Sequence, residues 1–264
     1  MQRIDKLLVD RGLVKSRDVA RRLIMAGKVR ACGKVVQKPH TQVKEEAEIL
    51  LEHKSEFVSR GGFKLRKVLE EFKIDAANRI CMDIGASTGG FTDCLLKSGA
   101  KKIYAVDVGK GLLDYTLQND AKIINIEKTN ARYLDSGIIP EKIEIAVMDV
   151  SFISVTKIIP AVLDLITDDG IMAILIKPQF ESERKDVGKG GIVKDPDIHI
   201  KVLKKLRDFF ADLGIRINGL TFSPIKGRKG NIEYFFVLGK GSAGNYNEDI
   251  KNVVERAFSE AIRL

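Results

Sequence analysis

The sequence predicts an α/β protein in two parts: a small α+β module at the N-terminus, then a doubly wound, mostly parallel sheet with helices on both faces. Three observations predict it. From residue 63 onward, apolar runs of strand length alternate with amphipathic stretches of helical period, as in a parallel sheet that must bury both faces. One such run leads into a glycine-rich turn and a helix between Cys81 and Asp93, the unit on which Rossmann-like nucleotide sites are built. The positive charge is also confined to one end. Of a net +9 over 264 residues, residues 1–44 hold 12 Lys/Arg against 3 Asp/Glu, and the other 220 hold 33 of each. Such segregation marks a polyanion-binding module on a neutral partner domain.

Several classes are excluded at once. Three cysteines and three histidines occur without a CxxC pair or a His/Cys cluster, which argues against a disulfide framework or a metal site. The longest apolar runs resemble Ile171 to Ile176, far short of the ~20 residues that span a bilayer. The chain opens Met1-Gln2-Arg3-Ile4-Asp5 with no apolar leader, so a cytoplasmic protein that does not engage a membrane is expected.

In the N-terminal module, Arg3 to Arg11 reads as a short helix with Ile4, Leu7 and Leu8 inward, ended by Gly12. Ser16 stands at an N-cap position. The helix behind it runs to about Ala26, with Val19, Ala20, Leu23 and Ile24 apolar and Gly27 as its stop. Arg17 and Arg21, four apart, share a face, and Arg22 lies beside them. Lys28 to Ala31 and Lys34 to Val36 flank Cys32-Gly33, a two-residue hairpin turn. Glu48 to Leu51 adds a strand. Over roughly residues 1–60 this arrangement resembles the S4 RNA-binding domain, on Arg3-Ile-Asp5, Gly12, Ser16-Arg17, Ala20, Gly27 and Val29. The resemblance implies an RNA grip by the arginine-bearing face and the hairpin: Arg3, Arg17, Arg21, Arg22, Lys28 and Arg30. Guanidinium groups suit phosphates because they pair bidentately.

Residues 53–62 read as a connecting stretch. The expected division is an RNA-binding domain over 1–58, a linker over 59–64 and a catalytic domain over 65–264. Strands are expected near 79–84, 102–107, 123–126, 144–149, 170–176, 215–223 and 233–238. Helices are expected near 63–73, 89–98, 110–117, 154–166, 196–213 and 247–262.

The glycine loop is Asp83-Ile-Gly85-Ala86-Ser87-Thr-Gly89-Gly90-Phe91. A dinucleotide fingerprint would need glycines at 85, 87 and 90, but position 87 is serine. Asp83 precedes the turn, where a carboxylate repels a pyrophosphate yet suits the cationic amino group of a methionine moiety. Asp107 ends the next strand, where an acidic residue binds ribose hydroxyls, and Asn130 follows the third strand, placed to meet an adenine. The expected cofactor is S-adenosylmethionine.

Four polar residues sit at element boundaries amid apolar sequence. Lys64 starts the helix before the first strand of the sheet, Asp149 ends the fourth strand, Lys177 the fifth, and Glu233 opens the last. The carboxyl ends of parallel strands line the ligand crevice. If the last strand is antiparallel, its start reaches the same edge. These residues are similar to the Lys-Asp-Lys-Glu tetrad of FtsJ-like RNA 2′-O-methyltransferases. Joined to an S4 module, the chain resembles the TlyA family, described as ribosomal RNA cytidine-2′-O-methyltransferases and historically called hemolysins. The motifs are Ser59-Arg-Gly-Gly-Phe-Lys64, Asp83 to Phe91, Asp149-Val-Ser-Phe152, Lys177-Pro-Gln-Phe-Glu181 and Gly230-Asn-Ile-Glu233.

The resemblance implies methylation of a ribose hydroxyl in ribosomal RNA or a ribosomal subunit, without a metal. Lys177 is then the general base or proton-orienting group, its amine made less basic by Lys64 and partial desolvation. Asp149 and Glu233 orient the lysines but oppose that lowering. Arg60, Lys226 and Arg228 are expected to extend the RNA contacts, and the glycine-rich stretch Ser182 to Asp195 to flank the RNA entrance. Other functions are weighed against the same features. A catalytically silent ribosomal RNA-binding or assembly factor would not need the tetrad. A small-molecule methyltransferase would not need the charged module. A membrane-active hemolysin would need an apolar segment that the sequence lacks.

Overall fold

The computed structural model describes residues 1–14, 16–51, 56–227, 229–241 and 249–261, and the chain divides into two compact units, Met1–Glu56 and Phe57–Leu264. The first unit runs β1 (Gln2–Arg3), α1 (Ile4–Asp10), α2 (Arg17–Met25), β2 (Val29–Ala31), β3 (Lys34–Val35), β4 (Gln42–Val43) and β5 (Ile49–Leu51). The Ser16 hydroxyl accepts from the Val19 amide at the start of α2, which satisfies one of the free N–H groups of the first turn. β2 and β3 form the hairpin, in register Ala31↔Lys34. Cys32 and Gly33 both take positive φ, 49° and 75°, the geometry of a type I′ turn. β5 pairs with the other edge of β2, and Ile4, Leu8, Ala20, Ile24 and Val29 fill the core.

The second unit runs α3 (Gly61–Glu71), β6 (Ile80–Ile84), α4 (Gly90–Lys97), β7 (Lys102–Val106), α5 (Tyr115–Gln118), β8 (Ile123–Ile126), β9 (Ile143–Met148), α6 (Ile159–Leu163), β10 (Ile166–Ile176), α7 (Pro178–Glu181), α8 (Pro196–Asp212), β11 (Arg216–Phe222), β12 (Tyr234–Gly239) and α9 (Ile250–Glu260). The strands form one seven-stranded sheet in the order β11-β12-β10-β9-β6-β7-β8. Strands β6 to β10 are mutually parallel, and β12 is antiparallel to both neighbours. Successive strand residues face opposite sides. Cys81, Ala105 and Val147 therefore pack with α3, α4 and α5, whereas Met82, Ile84 and Met148 pack with α6, α8 and α9. Both faces are covered, the three-layer arrangement that the alternating pattern predicts.

Three expectations need correction in detail. Residues 59–64 are not all linker, because α3 already begins at Gly61. The helix expected over 110–117 shrinks to the single turn Tyr115–Gln118, capped by Asp114. The helix expected over 154–166 divides into a 3₁₀ turn, Val155–Lys157, and α6, which ends at Leu163. The apolar run that suggested a longer helix continues into β10. Among the described residues no helix is long and apolar enough to cross a membrane.

Candidate active site

The carboxyl ends of β6, β7, β9 and β10 and the start of β12 meet at one edge of the sheet. Asp83 lies on β6 and is fully buried. Its Oδ2 accepts from the Thr92 hydroxyl at 2.6 Å, while Oδ1 is buried with no hydrogen-bond partner. Burial pushes this carboxyl up to about 7, with the neighbouring Asp149 and Asp107 adding to the rise and the Thr92 hydrogen bond opposing it. An unpartnered buried oxygen normally costs stability, and Oδ1 is left free to accept from a donor or a cation. Asp107 follows β7. Its two oxygens accept from the Ser87 amide at 2.8 Å and the Gly109 amide at 2.7 Å. That fixes the carboxylate across the mouth of the glycine loop, with lone pairs left for hydroxyl donors.

Two glycines are required by close approach. A Cβ on Gly85 would stand 2.6 Å from the Asp149 carbonyl oxygen, so the loop and the end of β9 touch through bare backbone. A Cβ on Gly90 would meet the Ser59 hydroxyl at 2.1 Å and Gly61 Cα at 3.1 Å. The missing side chain lets α3 reach the loop, and Lys64 stands one turn along α3. Ala86 is buried and Ser87 exposed. Phe91 turns into the core, its ring 6.0 Å from that of Phe235. Asn130 caps a 3₁₀ turn, its Oδ1 accepting from the Arg132 amide at 3.1 Å.

The four boundary residues form two ion pairs. Lys64 Nζ lies 2.5 Å from Glu233 Oε2, and Lys177 Nζ lies 2.6 Å from Asp149 Oδ1. Strand register brings the pairs together. Ile176 opposes Tyr234 across β10 and β12, so Lys177 and Glu233 occupy the next rung. Burial raises the Glu233 carboxyl; Lys64 pulls it back, Asp149 adds to the rise, and Lys177 lowers it. All four groups therefore feel one another at an edge where solvent is largely excluded, and charge is strongly felt there. Lys177 also donates to the Ser151 hydroxyl at 2.9 Å.

One residue beside this cluster escaped sequence reasoning. Phe152 is 89% exposed and has a φ of 64°, a left-handed conformation that bulky residues avoid. Its ring packs at 4.9 Å on Phe180, which lies 5.9 Å from the Lys177 ammonium. A large aromatic immediately after Ser151, in a stretch that leaves the sheet, was the available signal. An exposed ring beside a charged cluster offers a face on which a base can stack.

The expected RNA residues divide by unit. In the first, Asp5 is fully buried, and Arg3, Arg17 and Arg21 converge on it at 3.0, 2.9 and 3.6 Å. Burial pushes the Asp5 carboxyl up, but the hydrogen bonds from Arg3 and Arg17 outweigh it and hold the group at about 2. Each guanidinium stays close to half exposed. Arg22 is exposed on α2, and Lys28 and Arg30 flank the start of β2, partly buried. In the second unit Arg60 immediately precedes α3, and Lys226 follows β11. Arg228 lies outside the described residues. Asn231 ties the Ser182–Asp195 stretch to the segment carrying Glu233: its amide nitrogen donates to Gly191 O at 2.8 Å, and its Oδ1 accepts from the Val193 amide at 3.1 Å.

Comparison with known proteins matches both units. The FtsJ-like methyltransferase model matches residues 57–240, and the S4 domain model matches residues 2–49. The chain is 46% identical over 234 residues to hemolysin A of Brachyspira hyodysenteriae, covering 88% of this chain and 97% of the relative. It is 40% identical over 261 residues to the 16S/23S rRNA (cytidine-2′-O)-methyltransferase TlyA of Mycobacterium tuberculosis, covering 98% and 97%. A solved structure of a protein described as a hemolysin from Streptococcus thermophilus is 40% identical, covers 98% of this chain and 96% of its own, and superposes with a TM-score of 0.77.

Proposed function

The chain belongs to the FtsJ-like methyltransferases and carries an S4 domain in front, and on that premise we propose that it methylates the ribose 2′-hydroxyl of a cytidine in ribosomal RNA, with S-adenosylmethionine as donor. When bound, the donor supplies an already activated methyl group, so no metal is needed. The orphaned Oδ1 of Asp83 fits the donor's ammonium, and Asp107 fits its ribose hydroxyls. Backbone groups of Gly85, Ala86, Ser87, Gly89, Gly90 and Phe91 line its path, and Asn130 stands toward its base.

The protein's part in the reaction is positioning and proton handling. In its neutral amine form Lys177 would hold the attacking 2′-hydroxyl and take up its proton, while the new methyl–oxygen bond would replace the donor's methyl–sulfur bond and the donor would leave as a neutral thioether. Asp149 fixes the Lys177 amine, and Ser151 shares its hydrogen-bonding capacity. Lys64 and Glu233 form the neighbouring pair and set the local field. Phe152 offers its face to the target base. Arg3, Arg17, Arg21, Arg22, Lys28 and Arg30 bind the phosphate backbone, and Arg60, Lys226 and Arg228 add cationic contacts of their own.

The observation that carries this reading is the pair of ion pairs, Lys64–Glu233 and Lys177–Asp149, meeting beside a buried carboxyl oxygen that has no partner. An RNA-binding protein without chemistry has no use for that cluster. The test is incubation of the protein with methyl-labelled donor and ribosomal RNA, free and in subunits. Label is expected on a ribose oxygen of one or a few cytidines; no transfer to any of these substrates would refute the proposal.

A further inference from the structure

A third carboxylate ties the two strand ends that carry the Asp149–Lys177 pair. Glu181, the last residue of α7, is buried. Its Oε2 accepts from the Ser154 hydroxyl at 2.6 Å, and its Oε1 accepts from the Val155 amide at 2.8 Å. Both donors lie in the segment that follows Asp149. Ser154 also caps the 3₁₀ turn Val155–Lys157 by accepting from the Thr156 amide. Segments 149–155 and 177–181 are therefore joined at both ends: by the Asp149–Lys177 ion pair at the sheet and by Glu181 at the far side. Between the two ends lie the Lys177–Ser151 hydrogen bond and the Phe152–Phe180 ring contact.

This arrangement explains how Phe152 is held. An exposed phenylalanine with positive φ relaxes unless the surrounding structure over-determines it. The Phe180 contact leaves the ring largely exposed, so it does little to keep the segment from relaxing. The bidentate Glu181 contact stops that two residues downstream. Burial raises the Glu181 carboxyl while Ser154 and Val155 hold it down. Buried and engaged through both oxygens, the group resists displacement by water.

We propose that Glu181 is a positioning residue for methyl transfer: its bonds to Ser154 and Val155 fix segment 150–155 so that Ser151 meets Lys177 and the Phe152 ring faces the RNA. The inference rests on the function proposed above. The donor site proposed above lies mainly on β6, β7 and the glycine loop, and it meets this tether through the Gly85–Asp149 backbone contact.

The test compares Glu181→Gln, Glu181→Leu and Ser154→Ala with the wild-type chain. Glutamine keeps both contacts, its carbonyl accepting from Val155 and its amide donating to the Ser154 oxygen. Leucine removes both, and the serine variant removes one. Glu181→Leu is expected to lower kcat up to ~100-fold, the effect of a small misplacement of reacting groups, and to raise KM for RNA. Donor Kd stays unchanged. Glu181→Gln stays close to wild type, and Ser154→Ala falls between. Amide exchange at Val155 accelerates in the leucine variant and not in the glutamine one, a readout independent of turnover. If Glu181→Leu does not fold, Ser154→Ala carries the comparison. A leucine variant as active as wild type would overturn the proposal, as would a glutamine variant as impaired as leucine. Loss of donor affinity in step with kcat would reduce Glu181 to general support. If the wild-type protein transfers no methyl group, the functional reading fails first, and the positioning claim falls with it.

Discussion

At the scale of single residues, the site is organised by carboxylates held where water does not reach. Asp83 has the clearest consequences. Its carboxyl titrates near 7 because the charged form is buried, so the ionised form needed to hold a cation dominates only above that value. Donor affinity is therefore expected to fall as pH drops from 8 through 7 to 6, measured by calorimetry on the wild type, and to lose this dependence in Asp83→Asn. The sign for stability is opposite. A carboxyl raised in the folded state stabilises the protein while protonated, and that contribution is lost as pH rises from about 4 through about 7. Asp83→Asn should raise the melting temperature of the donor-free protein at pH 8 while weakening donor binding by about 10-fold or more, the worth of a hydrogen bond to a charged group. The Lys64–Glu233 pair makes a second prediction. Lys64→Ala leaves a buried carboxylate without its partner and should cost roughly 3–5 kcal/mol of unfolding free energy. Adding Glu233→Gln should restore much of that stability and none of the activity. If the single and double variants unfold alike, the two side chains are not coupled.

At the scale of elements, the decisive feature is where strands end. Asp83, Asp107, Asp149 and Lys177 were legible in the sequence because each is a charged residue closing an apolar run, and parallel strands bring such ends to one edge. Glu233 was legible only on condition that the last strand is antiparallel, and the register of β10 with β12 meets that condition. The pairing of lysines with carboxylates was not legible, because Lys64 and Glu233 lie 169 residues apart. Nor was the hold of Glu181 on Ser154 and Val155: a buried glutamate in a short polar segment gives no periodic signal. Helix ends were misread where apolar residues run on, since Leu165 and Ile166 suit a helix face or a strand equally and only β10 pairing decides. The contact of Gly85 with the Asp149 carbonyl couples two of these ends. Gly85→Ala should therefore displace both the glycine loop and Asp149, and lower donor affinity and kcat together. An alanine variant that loses neither would show that the two strand ends move independently.

At the scale of the whole molecule, charge and chemistry are divided between two units. The positive surplus lies in residues 1–44, and the first unit arranges three arginines around one buried aspartate; the second carries the Lys64–Glu233 and Lys177–Asp149 pairs. RNA affinity should fall steeply with salt while donor affinity does not, because only the former releases counterions. Arg22→Gln should reduce the salt slope of RNA binding by about one and leave donor affinity intact. An unchanged slope would place Arg22 off the RNA path. Lys177→Arg separates the two ways of handling the hydroxyl proton: a guanidinium keeps the charge beside Asp149 but cannot accept a proton. The most direct measurement is mapping of 2′-O-methylated cytidines in ribosomal RNA treated with the donor and either wild-type protein or Lys177→Arg. A methyl-protected cytidine is predicted with wild type and not with the variant, although both bind donor and RNA equally. Equal methylation by the two proteins would contradict the assignment of Lys177, and methyl groups found only on base atoms would contradict the central claim.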